Sequence, residues 1–363
     1  MRNILLTCLI GLATSTLGPT LAYAQVVNIE DGGFKFTFGG QINRGVLFTD
    51  DGVESNEFWV DNDNSSTRLR SSISYDFGNY VIGGNVEYEF EFSSSNVISQ
   101  LNSDVGSSVS NERKFEVFTQ TPYGTFTYGQ GDAASNGIAE IDTSGTFIGN
   151  HSAVGLIAGG QILRTATDDF SSNDIGDFFS NFDGITRIER FRYDTPTFGG
   201  GFVASASIGE DDQNDIVLRY TGKMGDFRIR GGITFAELDD TDRIAGSVSA
   251  FHEPTGLNVT FASAQDDLDV EGRDDPGYYY LKLGYQQKEL LPWGSTSFAF
   301  DYYDGSDQNV NGSDSESFSL FVVQKVDKWN TEFYAGYRTY EVSTPAEDFQ
   351  DTDVVFIGSR FTF

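Results

Sequence analysis

The sequence has almost no cysteine and very little histidine. Cys8 is the only cysteine, and His151 and His252 are the only histidines. Because Cys8 lies in the leader described below, the mature chain has neither a disulfide framework nor a thiolate metal site. After Ala24, no apolar run approaches the roughly 20 residues that a membrane-spanning helix needs. A helical membrane protein is therefore excluded as well.

The first 24 residues have the pattern of a secretory signal. Arg2 precedes an apolar run over residues 4–12, and the small-residue pattern Ala22-Tyr23-Ala24 ends the segment. Such a charged start, apolar middle and small-residue cleavage site are typical of exported proteins. We predict a signal peptide over 1–24 and a single mature unit over 25–363.

Basic residues are scarce compared with acidic ones. The chain has 23 Lys and Arg against 54 Asp and Glu, and removal of Arg2 with the leader leaves a net charge of −32. Nucleic acid and anionic lipid are therefore not expected partners. The acidity fits solubility in a salty or divalent-rich medium as well as a role in ion selectivity, and composition does not separate the two.

Proline is also rare, whereas glycine and aromatic residues are plentiful. The chain has 7 prolines, 41 glycines and 14% aromatic residues, and no linker rich in Pro or Ser divides it. This composition favours many strands joined by tight turns over a disordered acidic chain. We expect one continuous architecture.

Hydrophobic periodicity in the mature chain has a repeat of two, as expected for strands with one apolar face. Over residues 34–48 the even positions are mostly apolar, with Arg44 as the exception, and the odd positions are mostly polar or small. The alternation recurs over residues 69–77 and 80–92, which a short Gly78-Asn79 turn joins. Further segments of this kind give about 16 candidate strands.

The connections between these strands alternate in length. Short turns such as Pro122-Tyr123-Gly124 contrast with long polar loops such as residues 266–276 and 304–316. Short turns at one rim and long loops at the other are typical of outer-membrane barrels. The sequence therefore predicts an all-β fold, a transmembrane antiparallel β-barrel.

A secreted β-sandwich would also show alternating strands. Many strands here reach the roughly 9–11 residues of a tilted membrane strand, and their apolar faces end in aromatic residues, as at an interfacial girdle. The opposite faces carry charges that a channel can point into its lumen: Glu87, Glu89, Glu91, Arg228, Arg230, Lys282 and Asp301. Both features favour the barrel.

Several segments, in their order along the chain, resemble one known family. They are Gly39-Gly40-Gln41-Ile42-Asn43-Arg44-Gly45, Tyr128-Gly129-Gln130-Gly131-Asp132, a long third loop, Arg192-Tyr193-Asp194-Thr195-Pro196 and a last strand that ends on Phe363. In these respects the mature chain resembles the general (non-specific) porins of Gram-negative bacteria.

The resemblance implies a 16-stranded homotrimeric barrel in the bacterial outer membrane, surrounded by lipid and lipopolysaccharide. It also implies that the barrel-assembly machinery recognises the last strand through Phe361 and Phe363, which share the apolar face of that strand.

Residues 131–186 lack sustained alternation, and an interruption of this length is usually functional. In the porins that the chain resembles, the third loop folds into the barrel and narrows the pore opposite wall arginines. The implied acidic residues are Asp132, Glu140 and Asp142. The implied wall residues are Arg44, Arg68, Arg70 and Arg113, with Arg187, Arg190 and Arg192 as a second basic group. Arg44 interrupts an apolar face, so we expect a bulge that turns it inward or a position at the rim.

The sequence has few residue patterns that indicate a metal site, a cofactor site or catalysis. The segment from Asp61 to Ser65 starts like a calcium-binding loop, but Ser66 and Ser72 occupy the positions that need Gly and Glu. We expect no cofactor, although divalent cations such as calcium could bind loosely between acidic loops. Neither histidine lies in a nucleophile or zinc pattern, so we do not expect an enzyme.

The expected function is a water-filled pore for passive diffusion of ions and small hydrophilic solutes. A strongly acidic mouth predicts a preference for cations. The alternatives are a substrate-selective channel, a barrel-type hydrolase acting through His151 or His252, and a secreted adhesin.

Overall fold

The structure is a computed structural model that describes residues 25–103, 109–239 and 241–363, so the predicted signal peptide lies outside it. The described residues form 20 strands. Those before the long third loop are β1 (Gln25–Asp31), β2 (Phe34–Asp50), β3 (Ser55–Asp61), β4 (Arg68–Asp76), β5 (Val81–Glu91), β6 (Val109–Thr121) and β7 (Gly124–Asp132). The loop itself contains β8 (Ile162–Arg164) and β9 (Phe170–Asp174).

The remaining strands follow the loop. They are β10 (Arg187–Asp194), β11 (Phe202–Gly209), β12 (Asn214–Met224), β13 (Phe227–Leu238), β14 (Thr241–His252), β15 (Leu257–Asp267), β16 (Gly277–Leu291), β17 (Gly294–Ser306), β18 (Asp314–Val326), β19 (Thr331–Ser343) and β20 (Thr352–Thr362). Short 3₁₀ turns lie at Asp63–Ser65, Ile138–Glu140, Val154–Leu156, Ile175–Asp177 and Asp327–Trp329. No helix of the described residues is long and apolar enough to cross a membrane.

All strands outside the loop join one antiparallel sheet that closes on itself. On one side of β2, its first half pairs with β4 and its second half with β3, so β3 and β4 share one wall position. On the other side, β1 and β20 share a position in the same way. The 18 strands of the sheet therefore fill 16 positions, which confirms the predicted 16-stranded barrel. The alternation pattern predicted neither β1 nor β3.

Closure occurs between β20 and β2. Their register runs without a break from Gln41 opposite Thr362 to Asp50 opposite Asp353. Beyond it, the N–H of Gly40 donates to the carbonyl of Phe363 at 2.7 Å, and the N–H of Phe363 donates to the carbonyl of Gly40 at 3.0 Å. This pairing satisfies backbone groups that would otherwise form an open sheet edge.

The two faces of the wall differ as the alternation predicts. Large apolar side chains such as Ile73, Ile216 and Leu320 are more than half exposed on the outer face. Buried polar side chains such as Ser249 and Asp301 face inward. An apolar outer belt is stable only against hydrocarbon, and strands in hydrocarbon need every backbone group paired, which a closed barrel provides.

Connections at one rim are short. Gly32 and Gly33 make the first turn with φ angles of 57° and 91°, values that glycine adopts without strain. Two-residue links also join β6 to β7, β12 to β13 and β16 to β17. We call this end the short-turn rim, which in outer-membrane barrels faces the periplasm.

A large apolar cluster lies inside the wall, where the alternation of the strands predicts mainly polar residues. It joins loop residues such as Ile148, Ile157 and Phe179 to inward-facing wall residues such as Phe321 and Phe356. Their burial removes apolar surface from water and stabilises the loop against the wall. The core of this protein is therefore between the long loop and the barrel.

Candidate pore constriction

Three predicted arginines converge on the inner face of the wall. Arg68, Arg70 and Arg113 all form ion pairs with Glu87, at 3.4, 3.1 and 2.8 Å. Arg113 also pairs with Glu89. Antiparallel register places Arg68 opposite Glu89 and Arg70 opposite Glu87, so the alternating charges of β4 and β5 become neighbours.

A β-bulge brings Arg113 into this group. The pairing of β5 with β6 shifts by one residue after Glu87, which lies opposite Lys114, while Tyr88 lies opposite Glu112. The extra residue, Arg113, is thereby turned inward next to Lys114. A bulge was one of the two alternatives that we expected for Arg44, but in this part of the wall the bulge occurs at Arg113.

A second basic group surrounds the start of the loop. Asp132 forms ion pairs with Lys114 and with Arg187, the latter at 3.0 Å. Arg190 pairs with Glu116 at 2.5 Å. This neighbourhood makes Asp132 part of a neutralised charge network on the wall, on the same side as the arginines that it was expected to face.

Arg192 extends this group along β10. It pairs with Asp194 at 2.8 Å and donates to the carbonyl oxygens of Asp132 and Ala133, where the loop leaves the wall. The second basic group is therefore also the anchor of the loop's first residues.

The loop crosses the inner face of the strands that follow it. Along this path, the N–H of Ala134 donates to Ser207 on β11, and Ile141 and Thr143 reach Ser247 and Ser249 on β14. Further along, Tyr340 on β19 donates to the carbonyl of Val154, and the side-chain amide of Asn150 donates to Ser319 on β18. The seryl and tyrosyl hydroxyls of the inner face thus bind loop backbone groups that would otherwise lack partners.

Lys282 anchors the middle of the loop. Its ammonium group donates to Asp142 Oδ2 at 2.7 Å and to the carbonyl of Asn150 at 2.6 Å, and its side chain is 0% exposed. Burial alone would raise the pKa of Asp142, but the Lys282 ammonium outweighs burial and the pKa is lowered. Asp142 therefore serves as a buried anchor and does not face the wall arginines.

The far end of the loop returns to its beginning. Asp183 accepts the N–H groups of Gly137 at 2.5 Å and Ala139 at 2.8 Å, and Asn181 donates to Glu140 at 3.1 Å. Burial, followed by the Asp183 carboxylate, raises the pKa of Glu140 to about 8. Asp183 itself has a raised pKa, chiefly through burial. Glu140 and Asp183 form the acidic pair of the loop.

Asp132 belongs to the charge network of the wall and Asp142 is held by Lys282, so among the three predicted acidic residues Glu140 is the candidate to face the predicted wall arginines. Its carboxyl group feels the charge of Arg187 on the wall and that of Asp63. No sequence pattern marked Asp183, because it lies 43 residues further along the chain than Glu140 and only the return of the loop brings the two together. Lys114 was also missed, since strict alternation after Arg113 would place it on the other face.

Arg44 lies elsewhere. The unbroken register with β20 keeps it on the outer face, in line with Ile42 and Phe48, where it is exposed. It pairs with Asp61 at 2.5 Å. The prediction that Arg44 lines the pore wall is therefore wrong, because no bulge interrupts this part of β2.

The histidines offer no catalytic arrangement in the part of the chain that the structure describes. His151 is buried and stacks on Phe147 with ring centroids 4.3 Å apart. Burial, followed by the nearby Lys282 ammonium, lowers the pKa of His151 to about 3. His252 Nδ1 lies 2.8 Å from Thr255 Oγ1 in a short turn. The other contact of His252 is with the ring of Phe227, whereas the base of a catalytic hydroxyl is oriented by a third polar group.

Among the described residues, no three or more His, Cys, Asp or Glu side chains are arranged to hold a metal ion. Loose binding of calcium between the acidic loops stays a prediction.

Similar folds are known from outer-membrane proteins. The anion-selective porin from Comamonas acidovorans has a TM-score of 0.60 and 17% identity, with 91% of this chain and 100% of that chain covered. OmpF of Salmonella typhi, in complex with daunomycin, has a TM-score of 0.58 and 12% identity, with 93% and 100% covered. The trimer form of OmpT, an outer membrane protein of Vibrio cholerae, has a TM-score of 0.58 and 15% identity, with 91% and 99% covered. At these identities the likeness establishes the fold alone.

No curated protein sequence matches the chain significantly. The family comparison is more informative, because residues 10–345 match the Gram-negative porin family. The match covers the strands before the long loop, the loop itself and most of the strands that follow it. Together with the closed 16-stranded barrel, it shows that this chain belongs to the Gram-negative porin family and forms a channel in the bacterial outer membrane.

Proposed function

We propose that this porin is a water-filled channel for passive diffusion of ions and small hydrophilic solutes. The observation that carries the proposal is the division of the barrel interior by the loop. The loop packs against the inner face from β11 to β19, and we infer that the charged wall formed by β4 to β7 and β10 lies across the pore from the acidic pair of the loop, Glu140 and Asp183. Solutes would pass between these charged surfaces.

The arrangement suits polar solutes. Guanidinium groups gathered around Glu87 and Glu89 on the wall, and the carboxyl groups on the loop where they are ionised, create an electric field across the gap between them. Glu140 adds its charge to this field as pH rises through about 8. Such a field orients water and polar solutes and disfavours apolar ones. This is the physical basis for the proposed selection of polar solutes over apolar ones.

We further propose that the acidic loops give the channel a preference for cations. Exposed carboxylates are concentrated in the loops at the rim opposite the short turns, including Asp267, Asp269, Glu271, Asp274 and Asp275. Their combined potential attracts cations to that mouth. The arginines of the inner wall oppose this preference, so the preference should be modest.

A homotrimer is the proposed assembly. Arg44 lies on the outer face between apolar neighbours and pairs with Asp61, and an arginine on the lipid face of a barrel costs up to about 2–4 kcal/mol, depending on its depth. A subunit interface around Arg44 and Asp61 would remove this cost. The trimer form of the Vibrio cholerae protein, which shares the fold, supports this proposal.

The outer belt defines the other proposed partners. Its apolar and aromatic side chains fit outer-membrane lipid and lipopolysaccharide, and the last strand with Phe361 and Phe363 fits recognition by the barrel-assembly machinery.

Conductance of the refolded protein in a planar bilayer tests the channel. We expect large steps in current that are proportional to voltage in potassium chloride. A folded, membrane-inserted protein that gives no conductance would overturn the proposal. Molecular mass in detergent tests the assembly, and a folded species of one subunit would contradict the trimer.

A further inference from the structure

Three inward-facing arginines of β12 and β13 differ from every other arginine of the described strands. Arg219, Arg228 and Arg230 form no ion pair with a carboxylate of the described residues, whereas the other strand arginines each do. We call these three residues the basic ladder. In a chain with 54 acidic residues, the lack of partners is not caused by a shortage of carboxylates.

The register places the three side chains on successive levels of the wall. Arg228 and Arg230 are consecutive inward residues of β13, and Arg219 lies opposite Gly232, the next inward position. Consecutive inward positions on a strand are about 7 Å apart. The ladder therefore runs from the short-turn rim toward the loop, with one guanidinium on each level.

The upper end of the ladder meets the loop. Arg219 donates to the carbonyl oxygens of Ala134 at 2.6 Å and Asn136 at 3.1 Å. A Cβ atom at Gly232 would lie 2.4 Å from Ile138 Cδ1 and 3.1 Å from Arg219 Cγ, so glycine makes room for both. The ladder thus begins directly beneath the proposed constriction.

The lower end is open to the lumen. Arg228 lies over the ring of Phe251, with its guanidinium carbon 4.7 Å from the ring centroid, and it remains exposed. Arg230 lies opposite Ser249 on β14. Guanidinium groups in such positions can still donate most of their N–H groups to a solute.

The carboxylates near the ladder are each held by another group. Asp194 pairs with Arg192, Asp142 pairs with Lys282, and Glu253 pairs with Lys223. Asp215 accepts from Ser135 and Ser207. Asp183 accepts loop N–H groups, as described above. Like charges on adjacent levels repel one another, so the ladder is unfavourable by itself and becomes favourable when an anion lies against it.

We propose that the basic ladder is a binding site for small solutes with an oxyanion group, either carboxylate or phosphate, on their way between the constriction and the short-turn rim. Guanidinium groups match both anions because two parallel N–H groups can meet two oxygens. The proposal rests on the proposed channel function and adds a solute class to it. It is compatible with a modest cation preference, because the acidic loops lie at the opposite mouth.

Block of the potassium chloride current by inorganic phosphate or by succinate, each added on both sides of the bilayer, tests the site. We expect saturable block of the full-length protein, and a roughly tenfold higher half-blocking concentration in the double variant Arg228→Gln and Arg230→Gln. Block by phosphate alone would assign the site to phosphate groups, and block by succinate alone would assign it to carboxylates. Block by both would assign it to either anion.

Lys223→Gln is the matched control. Lys223 lies opposite Arg228 at the same level, but Glu253 already neutralises it at 2.8 Å. We expect its half-blocking concentration to change less than about twofold. The double variant Arg228→Lys and Arg230→Lys keeps the charge and should keep part of the block, which separates loss of the site from a folding defect.

The same measurements test the channel proposal and the basic-ladder proposal separately. Absence of conductance in the full-length protein would refute the channel itself. Normal conductance with no block by either anion, or with equal block in the Arg228→Gln and Arg230→Gln variant, would overturn the ladder alone.

Discussion

Lys282 shows how one buried side chain fixes the position of the loop. Its ammonium group has no exposed surface and binds Asp142 and the carbonyl of Asn150, which are eight positions apart on the loop. A buried ion pair adds little net stability compared with apolar packing, but removal of one partner leaves an uncompensated charge. The residue is therefore more important for position than for total stability.

Lys282→Met should destabilise the anchored loop by about 3–5 kcal/mol, because Asp142 would remain buried without its cation. Lower thermal stability in detergent and a noisier open-channel current would report the change. Lys325→Met is the matched control, since Lys325 forms an exposed pair with Asp327 at 3.6 Å. A double variant that also carries Asp142→Asn should recover part of the loss, and equal loss in single and double variants would contradict the coupling.

Glu140 gives the loop a titratable charge near neutral pH. Burial and then Asp183 raise its pKa to about 8, from an ordinary value of 4.5. Glu140 is therefore mostly neutral at pH 7 and ionised at higher pH. The carboxyl group of Glu140 loses its proton at lower pH in the unfolded chain than in the folded one. The contribution of Glu140 to the free energy of unfolding therefore falls as pH rises from 4.5 through about 8.

Cation permeability should consequently increase between about pH 6.5 and about pH 9.5, as Glu140 gains its charge. Reversal potentials in a potassium chloride gradient measure this change. Glu140→Gln should flatten the pH dependence, whereas Glu189→Gln, on the exposed outer face, should leave it unchanged. A Glu140→Gln channel with the original pH dependence would assign the titration to other groups.

The long loop forms a layer inside the barrel, and the two ends of the loop lie next to each other. The N–H of Ile185 donates to Ser135 Oγ at 2.8 Å, and a Cβ atom at Gly184 would lie 2.2 Å from the Cβ of Ser135. The wall strands on either side of the loop, β7 and β10, pair directly with each other. The barrel therefore does not need the loop for its own hydrogen bonding.

Joining Ser135 directly to Gly184, with residues 136–183 removed, should give a barrel that still inserts but conducts about two- to threefold more current. Stability should fall, since inward apolar residues such as Phe321 and Phe356 would be exposed to water. Single-channel conductance and heat-dependent mobility on gels measure the two effects. Removal of residues 270–273, in an outer loop, is the control, and equal conductance of both deletions would show that the long loop does not narrow the pore.

The last strand, β20, closes the barrel together with Phe363. Phe363 exchanges two backbone hydrogen bonds with Gly40, and its ring stacks on that of Phe361 at a centroid distance of 5.7 Å. Backbone pairing and ring contact can be separated by experiment, because Phe363→Ala keeps the first and loses the second.

Deletion of Phe363 should slow refolding into detergent micelles more than Phe363→Ala does, since only the deletion removes the two bonds, worth about 1 kcal/mol each. The folded fraction over time, measured on gels, distinguishes the variants. Equal rates for the deletion and the alanine variant would assign the effect to the ring instead.

At the scale of the whole molecule, charge is divided between the loops and the interior. The electrostatic potential of the acidic loops is screened by salt, and the screening length falls from about 30 Å at 0.01 M salt to about 3 Å at 1 M. The wall arginines act on solutes within contact distance and are screened less.

The proposed cation preference should therefore weaken steadily as salt concentration rises over this range. Reversal potentials at constant concentration ratio measure it. Neutralising the loop carboxylates Asp267, Asp269 and Asp274 together should reduce the preference at low salt and have little effect at high salt. Anion preference at every concentration would show that the wall arginines control permeation.

Much of the site was predictable from the order of residues along single strands. Arg68 and Arg70 share a face because alternate residues of any strand do. The roles of Arg44, Arg113 and Asp142 were not predictable in this way. Whether an arginine points inward depends on a bulge in the pairing, and whether an aspartate faces solvent depends on a lysine 140 residues away.

Most of the wall strands, their two faces and the chemistry of the outer belt could be derived from residue order alone, because the alternation of side chains is a local property of extended backbone. The place where the barrel closes, the path of the loop across its interior and the charges that meet became evident from the folded chain. These depend on contacts between residues far apart in the chain, such as Gly40 with Phe363 and Lys282 with Asp142. The same distant pairing leaves Arg219, Arg228 and Arg230 without carboxylate partners among the described residues, a property that no local pattern contains.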